Sequence, residues 1–193
     1  MSKNVFSILS KMFGKKQGKT VDNSSSKKTS DDMNISSKET KTSTEEFISP
    51  LEGRLLELSS VPDVVFSQKM MGDGFAIEPA NGEIVSPITG TIATLFHTKH
   101  AIGLVSDNGR EVLIHFGIDT VSLNGEGFTA HVKQGDKVNA GDKLVTVDLE
   151  SIKDKVPSII SPIIFTNLKD GESVEITPNR KVSLKEKDIA IIK

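Results

Sequence analysis

Two histidines, His100 and His115, lie on either side of a turn signal in the stretch HAIGLVSDNGREVLIHFGIDT, residues 100–120. The flanking segments are apolar and β-branched, and Asn108-Gly109 is a strong hairpin cue. With the loop at Asn108-Gly109, Ile102 pairs with His115; with the loop at Asp107-Asn108, His100 lies directly opposite His115. Both two-residue loops place the imidazoles on one face, as direct or diagonal neighbours with Cβ atoms about 5–8 Å apart. A three-residue loop would place them on opposite faces. In the two-residue reading His100, Ile102 and Leu104 share a face with Glu111, Leu113 and His115. Ala101, Val105, Val112, Ile114 and Phe116 then supply core from the other face.

Facing imidazoles have three uses. Metal ligation is one, but two ligands are too few for a structural zinc site, and the chain has no cysteine and no H-x-H or H-E-x-x-H. His97 precedes His100 by an odd number of residues and would point the other way on an extended strand. Nucleophilic chemistry is the second, with one neutral ring attacking and the other donating a hydrogen bond to the developing anion. A phosphoryl group suits this arrangement, because imidazole keeps a large neutral fraction near neutral pH and its phosphoramidate passes the group on readily. The third is an ordinary pair of half-buried histidines with satisfied hydrogen bonds.

The elements that would position the pair follow from the rest of the chain of 193 residues. In residues 1–14, Val5, Phe6, Ile8, Leu9, Met12 and Phe13 form one apolar helical stripe beside Lys3, Lys11, Lys15, Lys16 and Lys19. This is an amphipathic helix suited to an anionic membrane surface or to docking on protein. Residues 15–46 are Ser, Thr, Lys, Asp and Glu with almost nothing to bury, which predicts a disordered tether. From residue 47 to 193, short Val/Ile/Thr/Phe runs alternate with Gly, Pro and Asn-Gly turns, the pattern of an all-β antiparallel sandwich or barrel-like single domain. Only DLESIKDKV reads as a helical turn. SPLEGRLLEL from Ser49 and SPITGTIATL from Ser86 echo each other, and SPIIFTNL from Ser161 repeats the opening; two related β-units packed face to face would explain this.

Composition excludes several classes. A net charge of −2 and the absence of Trp and Tyr give no footing for nucleic acid. Without cysteine there are no disulfides and no thiol nucleophile, which fits a reducing compartment. No apolar run is long enough to span a bilayer, and VFSIL is short for a signal-peptide core. GDGFAI lacks the spacing of a dinucleotide or P-loop fingerprint. HVKQGDKVNAGDKLVTVDLE resembles the hairpin of biotinyl and lipoyl carriers but lacks their exposed lysine, so no cofactor is expected. VPDVVFSQKMMGDGF reads as an irregular loop holding Val64, Phe66, Met70 and Met71, either a satellite core cluster or an exposed docking patch.

At VLIHFGIDTVSLNGEGF the chain resembles the glucose-type enzyme IIA family of the bacterial phosphoenolpyruvate-dependent sugar phosphotransferase system. VPDVVF, MGDGFAIEP, SPITGTI, TKHAIGL and SPIIFTNL fall in the family's order, so the resemblance runs from about Phe47 to Lys193. It implies an antiparallel β-sandwich that takes phosphate from the histidine phosphocarrier HPr and gives it to a cysteine on the IIB domain of a sugar transporter. By that resemblance His115 is the phosphoryl acceptor, His100 stabilises the phosphoryl group, and Thr98 is the hydrogen-bonding neighbour of His100. Val64, Val65, Phe66, Met70, Met71, Phe96 and Val121 match an apolar docking ring, and Asp63 and Asp119 match acidic rim residues that meet basic groups on partners. No metal is implied. The implied site of action is cytoplasmic, with residues 1–20 a candidate for peripheral attachment at the inner face of the membrane. The tether is long for a free-standing member, and with no cysteine and no spanning segment the IIB and transport functions are expected on another polypeptide, where the sugar is chosen. A regulatory binding module on the same fold, its phosphorylation state controlling transporters or metabolic enzymes, is the alternative function.

Overall fold

The computed structural model describes residues 47–193. The amphipathic helix expected over 1–14 and the tether expected over 15–46 lie outside the described residues. Stiff β-branched side chains favour strands, and each strand stops where Gly, Pro or Asn punctuates the run. The strands are β1 Gly53–Glu57, β2 Asp73–Pro79, β3 Glu83–Val85, β4 Gly90–Leu95, β5 Ala101–Ser106, β6 Glu111–His115, β7 Phe128–Ala130, β8 Lys137–Val138, β9 Lys143–Val147, β10 Ser161–Phe165, β11 Val174–Ile176, β12 Lys181–Val182 and β13 Ala190–Ile192. They pair antiparallel throughout, in an eight-stranded sheet ordered β12-β1-β2-β10-β6-β5-β4-β8, a three-stranded sheet β3-β9-β7 and the pair β11-β13. The expected all-β antiparallel architecture is what the chain adopts. The helical turn expected in DLESIKDKV is α2, Leu149–Ile152, capped by the Asp148 side chain.

The central strands are buried on both sides. Every residue of β10 is buried, as are Val112 to His115 of β6. Phe75, Ile102, Leu104, Val112, Ile114 and Phe116 belong to one continuous core. β6 lies between β10 and β5, so the histidine that ends it sits on the best-supported backbone of the molecule.

The Ser-Pro echo corresponds to a real internal repeat. Ser49 Oγ donates to the Leu51 carbonyl and Ser86 Oγ to the Ile88 carbonyl, at 2.7 and 2.6 Å. β1 pairs β12 through Gly53 and Val182, and β4 pairs β8 through Gly90 and Val138. The two halves then exchange bonds: Ile48 N–H reaches the Pro87 carbonyl and Val85 N–H reaches the Pro50 carbonyl. Since β1 and β4 lie next to opposite ends of the large sheet, these bonds bring its two ends together. The third Ser-Pro differs, because Ser161 Oγ donates backwards to the Ile159 carbonyl.

Two expectations are corrected. The hairpin loop between β5 and β6 has three residues, Asp107 to Gly109, because Ser106 and Arg110 are the last pair and Val105 lies opposite Glu111. Gly109, at φ 85°, supplies the left-handed step such a loop needs. The extra residue changes the faces: Ile102 and Leu104 pair with Ile114 and Val112 in the core, not with Leu113 and His115. The segment around Val64 is not irregular either. It contains a one-turn helix α1, Val64–Ser67, whose first N–H groups are capped by Asp63.

The repeat predicts matched stability losses. Ser49→Ala and Ser86→Ala should each cost about 1–2 kcal/mol, the net worth of a buried hydrogen bond plus the desolvated acceptor left behind. Denaturant unfolding of both variants checks this, and clearly unequal losses would argue against equivalent settings.

Candidate active site

A three-residue loop should have put the two imidazoles on opposite faces, yet their ring centroids are 4.9 Å apart and the rings nearly perpendicular, at 81°. The reason lies at the other end of β5. Phe96 N–H bonds the Ala101 carbonyl, so His97 to His100 form a four-residue loop, with Lys99 in the left-handed region at φ 60°. His100 is the last residue of that loop and precedes β5, so the alternation of the strand does not set its side-chain direction. His97, in the same loop, is exposed.

His115 ends β6 and is 5% exposed, and the chain turns away at Gly117, at φ 66°. The turn aims the Gly117 carbonyl back at His115 Nδ1, 2.8 Å away. A carbonyl only accepts, so Nδ1 carries the proton and Nε2 keeps its lone pair. A Cβ at residue 117 would lie 2.8 Å from the Thr120 methyl and 2.9 Å from the Ser158 carbonyl oxygen. Ser158 also receives the Ile118 N–H, so the lead-in to β10 holds this loop.

His100 is 2% exposed and Thr98 is 1% exposed. Thr98 Oγ1 lies 2.5 Å from His100 Nδ1. When the hydroxyl donates, the ring proton of His100 sits on Nε2. That atom is buried with no hydrogen-bond partner. An unsatisfied buried polar atom of this kind costs about 1–3 kcal/mol.

The two imidazoles are the middle of a row of four rings. Phe66 packs on His115 at 5.2 Å between centroids and Phe96 on His100 at 5.4 Å. Apolar burial disfavours the charged form of both histidines. Desolvation, with the neighbouring charges of His115 and His97, pushes His100 down to about 3. Desolvation also lowers His115, opposed by the Gly117 carbonyl and by the negative charges of Asp63 and Asp119. Both rings are therefore neutral at neutral pH: one offers a free lone pair, and the other has an unused ring nitrogen beside it.

Of the other residues singled out in the sequence, Phe66 and Phe96 touch this pair, and Asp63 and Asp119 act on it through their charge. Val64, Met70 and Val121 are 54%, 55% and 38% exposed, unusual for large apolar side chains and therefore a candidate contact surface. Val65, Met71 and Phe96 are half-buried, and Phe66 is buried against His115. Asp63 accepts from Val65 and Phe66 N–H, at 2.8 and 3.3 Å, which fixes the helix that carries Phe66. Asp119 is exposed and adopts the left-handed conformation at the start of the 3-10 turn Thr120–Leu123. The residues that sequence reasoning did not assign are Gly117, through its carbonyl, and the segment of Ser158 and Ser161 that supports it. The glycine itself, two residues after His115, was the available signal for the first.

Holding a base neutral has a pH signature. Between about 6.5 and about 3 the unfolded chain binds a proton at His100 that the folded chain refuses, so stability is full above the ordinary value and falls as pH drops. His100→Gln should flatten the loss measured by denaturant unfolding between about pH 7 and pH 5, above the carboxylate range. A variant with the wild-type slope would show that His100 is not the titrating group.

Comparison with known proteins identifies the family. The family of phosphoenolpyruvate-dependent sugar phosphotransferase system, EIIA 1, matches residues 45–171. The PTS system glucose-specific EIIA component of Bacillus cereus is 52% identical over 137 residues, which cover 71% of this chain and 83% of that protein. The component of the same name from Staphylococcus aureus strain COL is 54% identical over 127 residues, covering 66% of this chain and 76% of that protein. The solved structure of glucose permease IIA from Mycoplasma capricolum superposes with a TM-score of 0.68 at 46% identity, over 76% of this chain and 93% of that one. With its antiparallel sheets and its match over most of the described residues, the chain belongs to the EIIA 1 family of the phosphoenolpyruvate-dependent sugar phosphotransferase system.

Proposed function

We propose that this chain is a phosphocarrier, in which His115 Nε2 accepts a phosphoryl group from phosphorylated HPr and passes it to a cysteine of an EIIB domain on another polypeptide. The observation that carries this reading is the pairing of His115, its Nδ1 engaged by the Gly117 carbonyl, with the buried and unpartnered Nε2 of His100. A phosphoryl oxygen is an acceptor that would satisfy that nitrogen. The cost of the orphan atom in the resting state then becomes stabilisation of the phosphorylated state. Thr98 positions His100 for this by fixing its Nδ1.

Transfer needs no metal in this reading. The lone pair of Nε2 forms the new N–P bond while the N–P bond of the donor histidine breaks, its electron pair staying on the donor ring. His115 keeps its Nδ1 proton, so the phosphorylated ring is a cation whose N–H faces the Gly117 carbonyl. A donor that enters as a phosphoimidazolium leaves as neutral imidazole. Positive charge thus travels with the phosphoryl group, and both charges remain balanced as water is excluded at the contact. The sugar is chosen by the transporter that receives the group; the relatives named above are glucose-specific.

The exposed apolar residues Val64, Met70 and Val121, near in sequence to Phe66 and His115, favour donor and acceptor docking on one surface. The same surface supports a second role, binding regulated transporters or metabolic enzymes, because a dianionic group placed among these side chains would change what they accept.

Phosphorylation from phosphoenolpyruvate, enzyme I and HPr should give an acid-labile phosphate that vanishes in His115→Ala. His100→Ala should still label, more slowly, and should fail mainly in passing the group to EIIB. Undiminished labelling of His115→Ala would overturn the role of His115. Gly117→Ala, strained by its φ and by the contacts a Cβ would meet, should label at least about tenfold more slowly. Val64→Asp with Met70→Asp should raise the HPr concentration needed for half-maximal rate and leave the fold unchanged.

A further inference from the structure

Gly117 is held on both sides. Its carbonyl, in the peptide shared with Ile118, meets His115, while the Ile118 N–H of that peptide donates to the Ser158 carbonyl. Its own N–H, in the peptide shared with Phe116, donates to Ser161 Oγ at 3.1 Å, a contact across 44 positions of sequence. Ser161 is 0% exposed, and its own hydroxyl proton goes to the Ile159 carbonyl at 2.9 Å. The hydroxyl is therefore an acceptor for Gly117 by necessity: its donor is committed. Ser161 opens β10, which pairs with β6 through Ile163 and Ile114, so the serine is fixed on the strand next to the one that carries His115. This serine does not use its hydroxyl as Ser49 and Ser86 use theirs, though all three precede a proline in the same short motif.

We propose that Ser161 is a positioning residue for phosphoryl acceptance: its hydroxyl pins the Phe116–Gly117 peptide on one side of the left-handed glycine, as the Ser158 carbonyl pins the Gly117–Ile118 peptide on the other, so that the Gly117 carbonyl keeps the His115 proton on Nδ1 and leaves Nε2 free. This deepens the phosphocarrier reading and rests on it. In water the imidazole of histidine prefers the opposite tautomer, with the proton on Nε2, where the lone pair needed for attack on phosphorus is absent. A left-handed glycine has a soft backbone, so its carbonyl direction must be set from outside. The Thr120 hydroxyl donates to the Phe116 carbonyl, the acceptor end of that same peptide, and leaves the Gly117 N–H to Ser161. The chain of control is thus Ser161 hydroxyl, Gly117 backbone, His115 tautomer. Ser161 acts through another group and touches no reacting atom.

The test compares wild type, Ser161→Ala, and the near-isosteric pair Ser161→Thr and Ser161→Val, of which only Thr keeps a hydroxyl. Nitrogen-15 NMR of the His115 ring reads the tautomer directly, without any phosphoryl transfer. The expected result is Nδ1–H alone in wild type and Thr, and a mixture with Nε2–H in Ala and Val. Acceptance from phosphorylated HPr should fall about ten- to a hundredfold in Ala and Val and be restored in Thr. A single Nδ1–H tautomer in Ala or Val would overturn the proposal, as would slow acceptance with an unchanged tautomer. Should Ala fail to fold, the Thr and Val pair decides alone. A tautomer that shifts in a protein whose wild type takes no phosphate would overturn the phosphocarrier reading and uphold the control of His115 by Ser161.

Discussion

The hydrogen bond between His115 Nδ1 and the Gly117 carbonyl is the contact around which the site is organised. It decides which nitrogen of a buried ring carries the proton, and it needs the carbonyl to point back at the residue two positions earlier. That geometry uses a left-handed backbone in a place where a Cβ would meet Thr120 and Ser158, which calls for glycine, which in turn needs support because glycine gives none of its own. The support comes from the lead-in to β10, where Ser158 and Ser161 bind the loop backbone. The site is thus assembled by two strands, one contributing the imidazole and the other holding the turn that orients it.

Neutrality is the second requirement, and packing meets it. Phe66 and Phe96 bracket the imidazole pair, so protonation would place charge in an apolar setting and cost solvation. Asp63 and Asp119 pull His115 in the other direction. The balance leaves a ring that is uncharged yet flanked by groups able to stabilise a cation. Asp63 also caps α1, so the residue that tempers the electrostatics fixes the helix that brings Phe66 into contact.

Much of this was legible in the sequence, for different reasons. The strand class followed from β-branched runs and turn residues, and the Ser49 and Ser86 echo marked a repeat that the exchanged Ile48–Pro87 and Val85–Pro50 bonds make physical. The proximity of His100 and His115 was anticipated through the wrong turn. Asp107-Asn108-Gly109 fits a two-residue or three-residue loop, and only the register distinguishes them; the rings meet because His100 belongs to a loop that strand alternation does not govern. α1 was missed because one helical turn is too short to show a period. Ser161 stood out as a word in a repeat, but its partner is 44 positions away, a separation that no local pattern encodes.

That separation has a consequence for how the molecule is made. Contacts between residues far apart in sequence form late, because the chain must first lose the entropy of closing a long loop. β6 and its histidine leave the ribosome well before β10, so a nascent chain carries the imidazole before the strand that holds the Gly117 turn exists. The oriented imidazole is then the last local feature to appear, arriving with the strand that completes the centre of the sheet. An incomplete chain would expose the histidine and still present it wrongly, which ties the chemistry of the site to the completion of folding.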